Sequence, residues 1–190
     1  TFSLFVRPSR VRRSYLVSAG LEDVLRYLQD FSVSQGAIDY LRSTDIFDDN
    51  FLYYLKDLRF TGRVRAIPEG RLYFYDEPVL EITAPVIEAQ VVETLVINQM
   101  NLQSVIATKA ARCSWAAGGR AVVDFSLRRT HGIDAGMKAA RCSYMVGFQS
   151  TSNVLAGKAY GIPLAGTMAH SYVTSFEREI DSFRAFVQSF

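Results

Sequence analysis

The chain has 190 residues, a formal net charge of +2 and 49% hydrophobic residues, enough apolar side chain to bury a core and too little charge of either sign to demand nucleic acid as a partner. No apolar run approaches the roughly 18 residues of a membrane span, and no charged-then-apolar leader opens the chain, so no membrane partner is expected. Cys113 and Cys142 have neither zinc-site spacing nor disulfide density, which points to reduced thiols and a cytoplasmic location.

Residues 1–6 alternate apolar positions at Phe2, Leu4 and Val6 and read as a mostly buried strand, with residues 15–17 as its partner. Between them lies a cluster of Arg7, Arg10, Arg12 and Arg13 around Pro8 and Ser9, read first as a solvated loop and second as a phosphate-binding one. Leu21, Val24, Leu25 and Leu28 fall at helical spacing, with Ser18 as the capping residue. Two further helices are expected over 34–42 and 48–58. On the latter, Phe51, Tyr53 and Tyr54 read as packing residues because nothing basic is interleaved with them.

From Arg59 the pattern turns to β. Gly62, the turn at Pro68, Glu69 and Gly70, and the Glu77-Pro78 break divide it into short strands of a small antiparallel or barrel-like sheet, with Tyr73 and Tyr75 as cross-strand partners. Pro85 fits the first turn of a long helix over 85–117, because its missing N–H would be unpaired there. That helix is apolar round much of its circumference, runs for roughly eight or nine turns and stops at Gly118 and Gly119. Its amides, Gln103 among them, need partners if buried.

Beyond the two glycines the rhythm is strand, turn and helix, with helices expected over 134–148, 153–160 and 176–190. Such alternation implies right-handed βαβ units and a parallel sheet. The expected fold class is therefore α/β: an N-terminal α+β domain over 1–118, then over 119–190 the first βα units of a TIM-like α/β barrel. Only about three βα repeats are visible where a barrel needs eight strands, so the barrel is expected to be incomplete and the chain to be part of a longer enzyme.

Residues 121–170 carry the chemistry in this reading, because their apolar segments each break at reactive side chains. The constellation is an aromatic ring, Phe125; two guanidiniums, Arg128 and Arg129; an amide, Asn153; a hydroxyl, Thr167; and an imidazole, His170. Arginine forks bind carboxylates and phosphates, which suggests an anionic substrate, and Phe125 could stack on a planar ring. His170 could act as base, metal ligand or phosphoryl acceptor. A metal is the weakest of these, since His131 is the only other histidine and does not stand at ligand spacing. Set against all three is a purely structural His170, and His131 itself reads as a loop residue. Asp124 either orients an arginine or is a buried polar partner.

DFSLRRTHGIDAGMKAA, STSNVLAGKAYGIP and GTMAHSYVTSFE, together with LVSAGLEDVLRYL, FTGRVRAIPEG and ETLVINQMNLQSVIATKAAR, resemble nicotinate phosphoribosyltransferases over essentially the whole chain. The resemblance implies the type II phosphoribosyltransferase fold, a homodimer, and condensation of nicotinate with phosphoribosyl pyrophosphate (PRPP) to nicotinate mononucleotide and pyrophosphate. It also implies coupling to ATP hydrolysis in NAD salvage, with Mg²⁺ entering on the phosphates and no tightly bound cofactor. Carried over by position, His170 is the histidine phosphorylated by ATP and Thr167 lies at the nicotinate. Phe125 and Arg128 resemble the ring-stacking Phe and neighbouring Arg of the nicotinamide enzymes, and Arg129 binds phosphate or a structural carboxylate. Asn153, or Ser152 one residue away, stands where the nicotinamide-using relatives have an Asp, and a neutral side chain there avoids repelling the nicotinate carboxylate.

Two departures from the family pattern stand out. The later barrel strands, and an N-terminal segment that supplies a ring-stacking Tyr across the dimer interface, have no counterpart among these residues, so the polypeptide alone is expected to be inactive. A nicotinamide or quinolinate phosphoribosyltransferase is the alternative within the class, although the GTMAHS histidine and the neutral Asn153 argue against it. A truncated, non-catalytic nucleotide-binding or partner protein is the alternative outside the class.

Overall fold

The structure, a computed structural model, describes residues 1–8 and 13–189. Arg10 and Arg12 of the arginine loop, and Phe190 at the end of the expected last helix, lie outside the described residues.

The first part of the chain holds β1 (Phe2–Leu4), β2 (Leu16–Val17), β3 (Arg63–Ala66), β4 (Leu72–Tyr73) and β5 (Leu80–Thr83). β5 is the central strand of an antiparallel sheet ordered β1-β5-β3, and β2 pairs antiparallel with β4. Two expectations for residues 1–17 are corrected by this pairing. β1 sits at a sheet edge with Phe2 39% exposed, rather than buried, and its partner is β5, with Phe2 opposite Ile82 and Leu4 opposite Leu80. Leu16 and Val17 instead face Tyr73 and Leu72. Both are buried, because β2 lies between β4 and a long helix whose Thr108 hydroxyl accepts the Val17 N–H at 2.9 Å.

Three helices cover the sheet region: α1 (Leu21–Gln29), α2 (Gln35–Ser43) and α3 (Asp49–Asp57). Ser34 and Asp48, expected as first residues of α2 and α3, stand one place earlier as their caps and accept the N–H groups of Ala37 and Phe51. Ser18 does not cap α1; its hydroxyl donates to the Ile67 carbonyl, while Gly20, at φ +100°, precedes the helix. Position 20 requires glycine on two counts, since an added Cβ would also lie 2.6 Å from the Gln99 carbonyl oxygen. The N–H of Gly20 is taken up by Glu69 Oε1 at 2.6 Å.

α4 (Val86–Ala116) has 31 residues, with Pro85 as the residue before its first turn. Ala89, Val92, Val96 and Met100 join the main core with Val24, Leu28, Leu80 and Ile82. Further along, Ala107 meets Val17, Ala19 and Cys142 in a second core. Its buried polar residues are matched as burial demands: Glu88 accepts from the N–H and hydroxyl of Thr61, and Gln103 donates to Asp23 at 2.7 Å. α4 satisfies the length criterion for a membrane span, yet among the described residues no helix is both long and apolar enough to cross one.

After Gly119 come β6 (Val123–Asp124), a 3-10 turn (Leu127–Arg129), α5 (Ile133–Met145), β7 (Ser150–Thr151), α6 (Val154–Tyr160), α7 (His170–Val173) and α8 (Glu179–Ser189). β6 and β7 run parallel, and Thr151 bridges on in parallel to Leu164. The expected strand and helix alternation is therefore present, built on strands only two residues long. α5 stops at Met145 rather than 148 because the chain reverses at Gly147, φ +109°, against Ser114 of α4. The helix expected from 176 starts three residues later, and a short α7 precedes it. Ser175 closes α7 by donating to the Tyr172 carbonyl, Phe176 packs its ring on Tyr172 at 5.2 Å, and α8 begins only at Glu179. The architecture is mixed α/β, an antiparallel part followed by parallel units.

Candidate functional site

Backbone hydrogen bonds align three parallel segments. The Gln149 N–H donates to Val122 O and Ser152 N–H to Asp124 O, both at 2.9 Å, while Thr151 N–H donates to Pro163 O and Ala165 N–H to Thr151 O, both at 3.0 Å. With this shared direction, residues following each segment leave from the same edge. Phe125 with Arg128 and Arg129 follow the first, Ser152 with Asn153 the second, and Thr167 with His170 the third.

Asp124 holds that edge together. It is buried; Oδ2 accepts the Thr151 hydroxyl at 2.8 Å and Oδ1 accepts the Ser126 N–H at 3.0 Å. Thr151 Oγ1 in turn accepts the N–H of Asn153 at 3.0 Å. Of the two readings open for Asp124, the structure selects the buried polar partner. Thr151 is the residue sequence reasoning missed, and its only signal was a β-branched hydroxyl at the end of a short strand.

Arg128 and Arg129 lie in the 3-10 turn and are both exposed, and among the described residues no carboxylate pairs with either. Their guanidiniums are open to an anion. The turn is fixed from below: Gly136 of α5 is buried against Leu127 and Thr130, and any Cβ there would run into the Leu127 side chain. Phe125 is 45% exposed, so its ring face is available. His131 is exposed in the loop that leads into α5.

Asn153 is buried at the start of α6, where Oδ1 accepts the Ala156 N–H at 3.1 Å and Nδ2 points to Met137 Sδ at 3.7 Å. Its amide is thus engaged in capping. The neighbouring Ser152 is half-buried, and its hydroxyl has no hydrogen-bond partner among the described residues. Thr167 is exposed in the connection before α7. His170 is the exposed first residue of α7; its carbonyl accepts the N–H and hydroxyl of Thr174, and its imidazole has no partner among the described residues.

The model of the nicotinate phosphoribosyltransferase (NAPRTase) N-terminal domain matches residues 1–101, more than half of the chain. The chain belongs to the nicotinate phosphoribosyltransferase family. A nicotinate phosphoribosyltransferase of Mycobacterium tuberculosis is 50% identical over 187 residues, covering 98% of this chain and 40% of that protein. The Bacillus subtilis nicotinate phosphoribosyltransferase is 39% identical over 188 residues, 99% of this chain and 38% of the relative. The crystal structure of human nicotinic acid phosphoribosyltransferase superposes with a TM-score of 0.83 at 38% identity, over 92% of this chain and 36% of that one. A nicotinate-nucleotide pyrophosphorylase from Pyrococcus furiosus shares the fold, with a TM-score of 0.74 at 23% identity over 97% of this chain and 39% of that one. The chain spans about 40% of the length of these two curated relatives, and the similarity runs through the strand ends as well as the N-terminal domain.

Proposed function

We propose that these residues form part of a nicotinate phosphoribosyltransferase that makes nicotinate mononucleotide for NAD salvage. The nicotinate ring nitrogen attacks the anomeric carbon of PRPP; the bond to pyrophosphate breaks and pyrophosphate leaves. ATP transfers its γ-phosphoryl group to a ring nitrogen of His170, giving ADP, and water later releases that group as phosphate. Imidazole suits this step because its neutral ring nitrogen is nucleophilic near pH 7. Mg²⁺ enters with the phosphates as part of the substrates.

The observation that carries the reading is the shared edge of the three parallel segments, followed by an exposed aromatic ring and by two guanidiniums and an imidazole that have no partner among the described residues. Phe125 stacks on the pyridine ring, Thr167 lies at the nicotinate, and Arg128 and Arg129 take the carboxylate or phosphates. For the choice of acid over amide, Ser152 is favoured above Asn153, whose side chain is spent on α6. Orientation and charge stabilisation are the main work here, since the leaving group departs with its own charge neutralised by Mg²⁺.

In the same reading the parallel segments open a TIM-like barrel completed elsewhere in a longer, homodimeric, cytoplasmic enzyme, and residues 1–118 and 119–190 are its two structural divisions. The test is competition among nicotinate, nicotinamide and quinolinate for PRPP with the full-length protein. Preferential conversion of nicotinate in the presence of Mg-ATP is expected; preference for either of the other two acceptors would overturn the assignment.

A further inference from the structure

The face of α5 that carries Lys138, Arg141 and Cys142 is joined by charge to the N-terminal part of the chain. Arg141 Nη2 lies 2.5 Å from Glu69 Oε2 and 2.6 Å from Glu22 Oε2, with Nη1 3.3 Å from Glu69 Oε1. Lys138 Nζ lies 2.6 Å from Asp23 Oδ2, which also accepts from Gln103 of α4. The Arg141 and Glu69 side chains are only 18% and 16% exposed, so this pair is far less screened than a surface ion pair. Glu69 at the same time receives the Gly20 N–H at the start of α1. One carboxylate thus ties the turn after β3, the entry to α1 and the middle of α5.

The first turn of α5 is docked on the turn that presents Arg128 and Arg129, through Gly136 against Leu127 and Thr130. Thr130 reinforces the joint by donating to the carbonyls of Leu127 and Gly132. A helix of 13 residues held in its first turn at Gly136 and again at its middle by Lys138 and Arg141 transmits position from one point to the other.

We infer that Arg141, held between Glu69 and Glu22, is a positioning residue: it sets α5 on the N-terminal part of the chain and thereby fixes where Arg128 and Arg129 meet the anionic substrate. This inference rests on the proposed reading of Arg128 and Arg129 as the groups that meet the anionic substrate. Two guanidiniums that bind phosphate equally before and during reaction govern KM rather than kcat.

The experiment uses the full-length protein and the variants Arg141→Met, Arg141→Lys, Glu69→Gln and the Arg141→Met/Glu69→Gln double. At a temperature where each is folded, KM for PRPP and the Kd for inorganic pyrophosphate by calorimetry are measured. Arg141→Met and Glu69→Gln should each raise both about fivefold with kcat changed less than about twofold, Arg141→Lys should recover most of the loss, and the double should be no worse than the worse single. Unchanged KM and pyrophosphate affinity alongside a lowered Tm would reduce the pair to a structural brace and overturn the inference. Should Arg141→Met fail to fold, Glu69→Gln and Arg141→Lys carry the same readouts. A wild type that binds pyrophosphate but makes no nicotinate mononucleotide would sink the functional reading while the pyrophosphate comparison still decides this one, and a wild type that binds no pyrophosphate would overturn it.

Discussion

Asp124 illustrates how much a single buried carboxylate can organise. Its two oxygens take donors from the neighbouring strand and from the residue before the arginine turn, so each partner it loses leaves a buried oxygen without a donor. Thr151→Val removes the donor to Asp124 and the acceptor of the Asn153 N–H at nearly constant shape and should cost about 1–3 kcal/mol, read as a lower midpoint in urea unfolding. An unchanged midpoint would mean that the Asp124 carboxylate is satisfied without Thr151. Cys142 is a second case. Burial pushes its thiol up to about 12, with Glu69 and Asp23 adding to the effect and Arg141 and Lys138 working against it. Thiolate is therefore scarce at pH 8. Iodoacetamide at pH 8 should leave the Cys142 peptide unmodified in the native protein and alkylate it in denaturant, as followed by peptide mass mapping.

At the scale of elements, the junction of α1, α4 and α5 has a pH dependence whose sign follows from its carboxylates. Burial alone would raise Glu69 and Asp23. The charge and hydrogen bonds of Arg141, with the N–H groups of Gly20 and Glu22, more than offset this at Glu69, and Lys138 and Gln103 do so at Asp23. Both carboxyls are held below their ordinary values of 4.5 and 3.8. A depressed folded pKa contributes stability that is present above the unfolded value and lost as pH falls through the folded one. Unfolding midpoints should accordingly be insensitive to these two groups near neutrality and fall below about pH 4.5, and Glu69→Gln should flatten that fall. A Glu69→Gln profile parallel to wild type at low pH would contradict the assignment.

What the sequence discloses about these elements depends on how local their causes are. The apolar spacing of Leu21, Val24 and Leu28, the caps at Ser34 and Asp48, and the run from Pro85 to Gly118 are written within a few residues of the helices they define. The partner of β1, the taking of the Gly20 N–H by Glu69 and the Asp124–Thr151 bond join residues far apart in the chain, and no short-range pattern records them. The same division holds at the site. The arginines and His170 stand out as reactive types after apolar segments, and the cap of α6 at Asn153 is as local as those of α2 and α3, whereas the burial of Asp124 against Thr151 and the unpartnered hydroxyl of Ser152 emerge only from the geometry.

For the molecule as a whole, α4 is the spine that joins its two parts. Its first half closes the antiparallel core and its second half seats β2 and α5. Met100, 2% exposed in the main core, should cost about 2–5 kcal/mol when changed to Ala, measured by chemical denaturation. A loss below about 1 kcal/mol would show that the core collapses around the gap. On the parallel side, Val154 is 67% exposed, Leu164 57% and Val187 77%, apolar surface of the kind that further βα units would cover in the proposed barrel. Residues 1–190 expressed alone are expected to turn over no nicotinate, and measurable turnover by them would remove the need for a completed barrel.

In the proposed reaction His170 accepts a phosphoryl group in the course of nicotinate mononucleotide synthesis. The most direct measurement is incubation of the full-length protein with γ-labelled Mg-ATP, followed by acid and alkali treatment of the trapped protein, for wild type and His170→Ala. Acid-labile, alkali-stable label on the wild type alone, mapped to the His170 peptide and discharged when nicotinate and PRPP are added, is the predicted result. Equal labelling of both proteins, or a His170→Ala variant that retains full ATP-stimulated synthesis, would contradict it.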